Sequence, residues 1–171
     1  MNFQYKLKNI IKYNKDNLHQ NIVTLNNKDY IVMKYNKDYI DSTNWDSLGL
    51  IRSIIIKDDK LLCFSPPKSI IGNFNKTLLN SSHHTFQEFI DGTMINIFWD
   101  DEWIISTRSI VGANNRFFTS GFHSTQETFN WMFTDTLYQK EKSKDSISRY
   151  TDWKQSDFYK HLQQQDKNMC F

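Results

Sequence analysis

Four cationic side chains stand where apolar segments of the chain meet polar turns: Arg52, Lys68, Arg108 and Arg116. Asp91 and Gly92 open the apolar segment "TMINIFW". Guanidinium and ammonium groups bind phosphate oxygens through charge-assisted hydrogen bonds. A glycine beside them would let a ligand approach the backbone closely. Taken together, these residues predict a sheet-lined cleft that binds a polyanionic nucleotide.

Each of these residues also has an ordinary structural explanation. In "GLIRSIII" the alternation of a strand places Arg52 on one face with Leu50 and Ile54, so it could point outward into solvent. Lys68 follows two prolines and could be a loop lysine, while Asp91-Gly92 could form a simple turn. Arg108 could mark the polar end of a hairpin. The prediction therefore depends on these side chains converging in the fold.

Composition and motifs limit which kinds of protein the chain could be. The 171 residues are 39% hydrophobic with a net charge of +2, which predicts a single domain over residues 1–171 and no membrane span. The adjacent pairs His83-His84 and Asp100-Asp101 lack metal-ligand spacing, so no metal site is predicted. Cys63 and Cys170 lie far apart in the sequence, which argues against a disulfide framework and for an intracellular, cytoplasmic protein.

The elements that would position these residues are mainly β-hairpins. Alternating and β-branched segments predict strand pairs within residues 21–36, 51–64 and 94–107, with turns at Asn26-Asn27, residues 57–60 and "DDE". Helical spacing predicts a helix within residues 125–144, with Phe129, Met132, Phe133 and Leu137 on its apolar face, and another within 157–168. Residues 1–20 predict a short helix or an irregular segment, and residues 140–157 an exposed connection. The fold class is α+β with antiparallel sheets.

These blocks, in this order, resemble the adenylation domain of ATP-dependent RNA ligases, of the tRNA-repair type found in T-even phages and in a diverged form in large DNA viruses. The likeness runs from about residue 30 to residue 118. The family's Arg-Gly strand matches "IRSIII" at Arg52, and its proline-lysine-phenylalanine block matches "FSPPKSI" at Lys68. Its Lys-x-Asp-Gly-Ser motif matches "FIDGT", and the basic residue that ends the next hairpin matches Arg108 in "STRSIVG".

The resemblance implies a nucleotidyltransferase fold that binds ATP and Mg²⁺ and joins RNA ends. The lysine that such enzymes adenylate is replaced here by Phe89, which has no amine. Either another lysine, Lys34 or Lys68, reaches the phosphate, or the chain is an inactive nucleotide- or RNA-binding module on the same scaffold. A structural interaction domain is a further alternative. The ending "NMCF" lies where the family's Glu-bearing strand would begin, which predicts a truncated chain or, equally, a C-terminus packed into the core.

Overall fold

The computed structural model describes residues 3–67, 92–116, 128–142 and 148–171, with side chains from residue 7 onward. The helices and strands in chain order are α1 (Phe3–Tyr13), β1 (Leu18–Leu25), β2 (Lys28–Tyr35), α2 (Trp45–Leu48), β3 (Ile54–Lys57), β4 (Lys60–Phe64), β5 (Asn96–Asp100), β6 (Glu102–Ser106), α3 (Phe129–Glu141) and α4 (Asp157–Leu162). Short 3₁₀ turns occur at Lys15–Asn17, Lys37–Tyr39 and Trp153–Gln155. The predicted α+β class with antiparallel sheets is confirmed.

The first four strands form one antiparallel sheet in the order β1-β2-β3-β4. The β1–β2 turn places Asn26 and Asn27 at φ 52° and 61°, and the β3–β4 turn places Asp58 and Asp59 at 48° and 59°. Two successive left-handed residues characterise the tight hairpin turn whose twist matches that of the strands, and Asn and Asp tolerate this conformation better than most residues. Both predicted turns are therefore confirmed, with their physical reason.

Strands β5 and β6 form a separate two-stranded hairpin. Asn96 pairs with Ser106, the pairing continues to Asp100 opposite Glu102, and Asp101 at the tip has φ 65°. The sequence placed the strand ends within two residues of these positions. The backbone N–H and C=O of Ile97 also exchange hydrogen bonds of 2.8 and 2.9 Å with Phe171, so residue 171 pairs with the outer edge of β5.

The hairpin lies between the four-stranded sheet and the C-terminal helices, because its side chains alternate between two cores. Phe98 and Ile104 pack on one side with Tyr30, Val32 and Ile55 of the sheet. The alternate residues of the hairpin pack on the other side with the helical region: Ile97, Trp103 and Ile105 with Trp153, Leu162 and Phe133. Helix α1 covers the opposite face of the four-stranded sheet through Leu7, Ile10 and Ile11.

Two features of the helical region differ from the sequence prediction. Met132 of α3 is 39% exposed, whereas Phe129, Phe133 and Leu137 pack against the core as predicted. Trp153, inside the segment predicted to be an exposed connection, is 3% exposed because its ring contacts Phe133 at 5.8 Å. None of the helices in the described ranges is both long enough and apolar enough to cross a bilayer.

The two cysteines, which are far apart in the sequence, lie in contact in the fold. Cys63 on β4 and Cys170 beside Phe171 are 107 positions apart in the chain, yet their Sγ atoms lie 3.1 Å apart. Both thiols are free. The contact forms because Phe171 pairs with β5 and so brings Cys170 to the edge of β4.

Candidate phosphate-binding site

The candidate site lies at the end of the two sheets opposite the hairpin tips. Strand β2 leaves the sheet there at Tyr35, whose backbone N–H donates to the carbonyl of Ile51 at 2.8 Å. The chain beyond β6 reaches the same place, where Arg108 Nε donates to the carbonyl of Arg52 at 3.1 Å. The fold therefore brings together three segments that are distant in sequence. Lys34 and Arg108 lie close enough for their charges to interact, and the backbone of Arg52 accepts the hydrogen bond from Arg108. We call these three residues the cationic cluster.

A hydrogen bond and a ring contact fix the Arg108 side chain. No acidic residue in the described chain pairs with its charge. Its Cζ lies 4.7 Å from the centroid of the Tyr35 ring, which is a cation–π distance. Nε is committed to the Arg52 carbonyl. No carboxylate of residues 3–67, 92–116, 128–142 or 148–171 forms an ion pair with Arg108 or Arg52.

Lys34 is a cation of the cluster, and the fold changes its pKa. Its Nζ donates to Ser109 Oγ at 2.8 Å, and its side chain is partly buried. Burial lowers the pKa of Lys34, and the charges of Arg108 and Lys37 lower it further. A lysine of lowered pKa carries more of the neutral amine, which is the nucleophilic form. The environment of Lys34 therefore favours the neutral amine more than that of a fully exposed lysine does.

Buried polar side chains lie directly beneath the cationic cluster. Ser53, Ser65, Asn96 and Ser106 are each 3% exposed or less. Ser65 Oγ donates to Asn96 Oδ1 at 2.9 Å, but Ser53 Oγ, Asn96 Nδ2 and Ser106 Oγ have no partner in the described part of the chain. A fourth such atom, Trp103 Nε1, lies further along β6. Because an unsatisfied buried polar group costs about 1–3 kcal/mol, these atoms require partners beyond the described residues.

The remaining predicted residues are placed as follows. Gly92 is exposed, and a Cβ built on it would meet no atom within 4 Å, so the surrounding protein does not require glycine there. Arg116 is exposed and forms a β-bridge with Thr128, and the described residues show no contact between Arg116 and the cationic cluster. Lys68, Phe89 and Asp91 lie outside the described residues.

Some contacts of the site were not predicted from the sequence. Ser106 and Ser109 were candidate phosphate-binding hydroxyls beside Arg108, but the contact of Ser109 with Lys34 and the burial of Asn96 were not foreseen. The available signal was a polar residue at an inward-facing position of an otherwise apolar strand, as in "NIFW" and "WIIS". That pattern indicates burial of a polar group, but it does not reveal which strands meet.

A larger cavity elsewhere is a weaker candidate. It has a volume of about 610 Å³ and lies between α3 and residues 149–152. Its polar groups already have partners within the protein: Arg149 pairs with Asp135 at 2.6 Å and stacks over Trp131 at 5.1 Å, and Asn130 Nδ2 donates to the Gly112 carbonyl at 3.0 Å. The cationic cluster, by contrast, has no acidic partner among the described residues.

No family model matches the chain, and no curated protein or solved structure is similar to it. The site is therefore interpreted from its own geometry. The described residues contain no group of three or more His, Cys, Asp or Glu side chains that could hold a metal ion.

Proposed function

We propose that the chain is an RNA-ligase-like nucleotidyltransferase that binds ATP with its phosphates at the cationic cluster and uses Lys34 as the nucleophile. One observation carries the proposal. Lys34, Arg52 and Arg108 meet at one end of the sheets, and no carboxylate of the described residues pairs with them. The charge of Arg108 disfavours a charged Lys34, and a phosphate chain would relieve that repulsion.

In this proposal, Lys34 takes the role of the lysine that is missing at residue 89. In the RNA-ligase-like reading, Phe89 stands where the adenylated lysine belongs, so catalysis requires an amine from another element. Lys34 combines partial burial with a lowered pKa, caused first by burial and then by the neighbouring cations. A lowered pKa increases the fraction of the neutral amine, which is the form that attacks an electrophile.

The proposed chemistry uses this amine in the first step. Neutral Lys34 Nζ attacks the α-phosphorus of ATP, an N–P bond forms, and the bond to the bridging oxygen of the β-phosphate breaks. Pyrophosphate leaves with that electron pair, and the proton of the attacking amine passes to solvent. Arg108 and Arg52 stabilise the charge that develops on the phosphate oxygens. The bound AMP is then transferred to an RNA 5′-phosphate, and an RNA 3′-hydroxyl displaces it to form the phosphodiester.

A covalent-adduct experiment tests the proposal. The full chain is incubated with ATP labelled at the α-phosphate together with MgCl₂, and intact mass and acid lability report a phosphoramidate. Peptide mapping should place one AMP on Lys34. Lys34→Arg keeps a cation but removes the nucleophile, so it should bind ATP without forming an adduct, and Lys37→Arg at the exposed neighbour should behave like the wild type. An AMP adduct on any other residue would refute the role of Lys34.

A second function is favoured by the Phe89 substitution itself. A module that binds nucleotides or RNA without chemistry would need the cationic cluster but no nucleophile. It predicts ATP or RNA affinity that is lost in Arg108→Ala and no covalent adduct under any condition. The labelling experiment and a binding titration on the same preparation therefore separate the two functions.

A further inference from the structure

The only two cysteines of the chain form a contact pair at the edge between the two sheets. Their Sγ atoms are 3.1 Å apart. Because a disulfide bond is about 2.05 Å long, closure requires the sulfurs to approach by roughly 1 Å, which side-chain torsions can supply. The contact between the two thiols depends on the fold and not on local sequence, because 107 positions separate them in the chain.

Both thiols are held by secondary structure. Cys63 is 2% exposed on β4 and packs in the core with Tyr30, Val32 and Ile55. Cys170 is partly buried, and the following residue, Phe171, exchanges two backbone hydrogen bonds with Ile97 of β5. The Phe171 ring lies 5.9 Å from that of Trp103, which further fixes this segment. The pair is therefore preorganised by the folded state.

The two thiols have unequal reactivity. The hydrogen bond with Cys63 lowers the pKa of Cys170, whereas that hydrogen bond and burial raise the pKa of Cys63. Cys170 is also the more exposed of the two. A thiolate that solvent reaches, next to a buried thiol, is the arrangement of an attacking cysteine and a resolving cysteine.

We propose that Cys63 and Cys170 form a reversible intramolecular disulfide in exchange with a small disulfide such as oxidised glutathione. Cys170 thiolate attacks one glutathione sulfur, the glutathione S–S bond breaks, and one glutathione thiolate leaves. Cys63 sulfur then attacks Cys170 sulfur, the second glutathione leaves, and the Cys63 proton passes to it. Two protein thiols are oxidised and one glutathione disulfide is reduced to two thiols, so electrons and atoms balance.

The disulfide would fasten the segment around residue 170 to β4 while Phe171 stays paired with β5. In the reduced chain, two backbone hydrogen bonds and ring contacts hold this segment. In the oxidised chain, a covalent link joins the edge of the four-stranded sheet to the edge of the hairpin. The redox state would thus control how tightly the two sheets are joined at this edge, and this inference is independent of ATP binding.

Equilibration in glutathione buffers tests the proposal. The purified full chain is incubated at fixed pH over a series of reduced-to-oxidised glutathione ratios, quenched with acid, alkylated and weighed intact. Both thiols should disappear together with one midpoint, with a mass lower by two hydrogens and no bound glutathione. Peptide mapping should recover the peptides of residues 63 and 170 joined. Hydrogen exchange at the Phe171 and Ile97 amides should be slower in the oxidised chain.

Single substitutions distinguish the roles of the two thiols. In Cys63→Ala, Cys170 should retain glutathione as a stable mixed disulfide. In Cys170→Ala, folded Cys63 should react roughly tenfold or more slowly than Cys170 does in Cys63→Ala. The inference is overturned by glutathione that stays on wild-type Cys170, by a covalent dimer on a non-reducing gel, or by two thiols that persist at the most oxidising ratio. The Cys170→Ala measurement remains decisive if Cys63→Ala does not fold.

Discussion

Replacing Asp100 by asparagine should weaken the contact between the hairpin and the four-stranded sheet. The candidate site, at the opposite end of the sheets, should stay intact. Asp100 ends β5, and its Oδ2 accepts hydrogen bonds from Tyr30 Oη at 2.7 Å and Lys57 Nζ at 2.8 Å. Lys28 Nζ lies 3.5 Å from the same oxygen. One carboxylate therefore connects the hairpin to β2 and β3, and asparagine preserves its shape while removing its charge.

The expected loss follows from the burial of this cluster. The side chains of Asp100 and Lys57 are 13% and 19% exposed, so their pairing is largely shielded from solvent. Removing one partner of a buried pair costs about 3–5 kcal/mol, and the residual solvent contact places Asp100→Asn near the lower end, at about 3 kcal/mol. The neighbouring Asp101 is 82% exposed while pairing with Lys28 at 2.7 Å, so Asp101→Asn should cost about 0.5 kcal/mol and is the matched control.

The pH dependence adds a second test. Burial raises the pKa of Asp100, but the hydrogen bonds from Lys57 and Tyr30 and the charges of Lys57 and Lys28 outweigh it, so the net shift is downward. A lowered carboxyl pKa contributes stability that is fully present above the unfolded value, about 3.9, and is lost as the pH falls through the folded value. The stability gap between the wild type and Asp100→Asn should therefore be constant near neutrality and close in acid.

Urea unfolding followed by tryptophan fluorescence, repeated from pH 7 down into acid, measures both effects. An Asp100→Asn variant within about 1 kcal/mol of the wild type at pH 7 would contradict the shielding argument, since exposed pairs contribute about that much or less. A gap that persists unchanged in strong acid would show that the stabilisation does not come from the ionised carboxylate. Unaltered ATP binding in the folded variant is expected, because the cationic cluster lies at the other end of the strands.

Three further predictions follow from the same geometry. Arg108→Ala should weaken ATP binding by about tenfold or more in an equilibrium titration, because a charge-assisted phosphate contact is lost, whereas Arg149→Ala at the larger cavity should leave the affinity unchanged. The folded state lowers the pKa of Lys34. Urea unfolding should therefore show the wild type gaining stability relative to Lys34→Met as the pH rises from the folded-state pKa of Lys34 towards the unfolded value, about 10.4. A stability difference that falls over this range would contradict the lowered pKa. Asp59→Gly, at φ 59° in the β3–β4 turn, should raise the free energy of unfolding by about 0.5–1 kcal/mol, and any destabilisation would contradict the assigned strain.

The strands and turns could be predicted because their signals are local. The pairs Asn26-Asn27 and Asp58-Asp59 adopt left-handed conformations that few other residues tolerate, and the alternating segments around them carry the period of a strand. Met132 shows the limit of the same reasoning. Helical spacing places it on the apolar face of α3, but the width of the contacted stripe depends on the partner, and of the predicted face Phe129, Phe133 and Leu137 reach the core while Met132 does not.

The site could be predicted only in part, because its assembly depends on contacts between distant segments. Arg52 and Arg108 were singled out as candidate cations, and the fold joins them through one hydrogen bond across 56 positions. Their convergence with Lys34 follows from the packing of the hairpin on the sheet, for which the chain carries no local signal. The same is true of Cys63 and Cys170, whose contact arises from strand pairing at Ile97.

The order of the strands also has a consequence for how the chain unfolds. Each pair in the four-stranded sheet joins strands that are neighbours in sequence, so residues 18–64 can assemble through contacts of short range. The β5–β6 hairpin meets that sheet through distant contacts such as Tyr30 with Phe98, at 6.2 Å between ring centroids. Lys34 and Arg52 belong to the first cooperative unit, whereas Arg108 follows the second. The cluster therefore exists only while both units are docked, and an anion bound there would oppose their separation in proportion to its affinity.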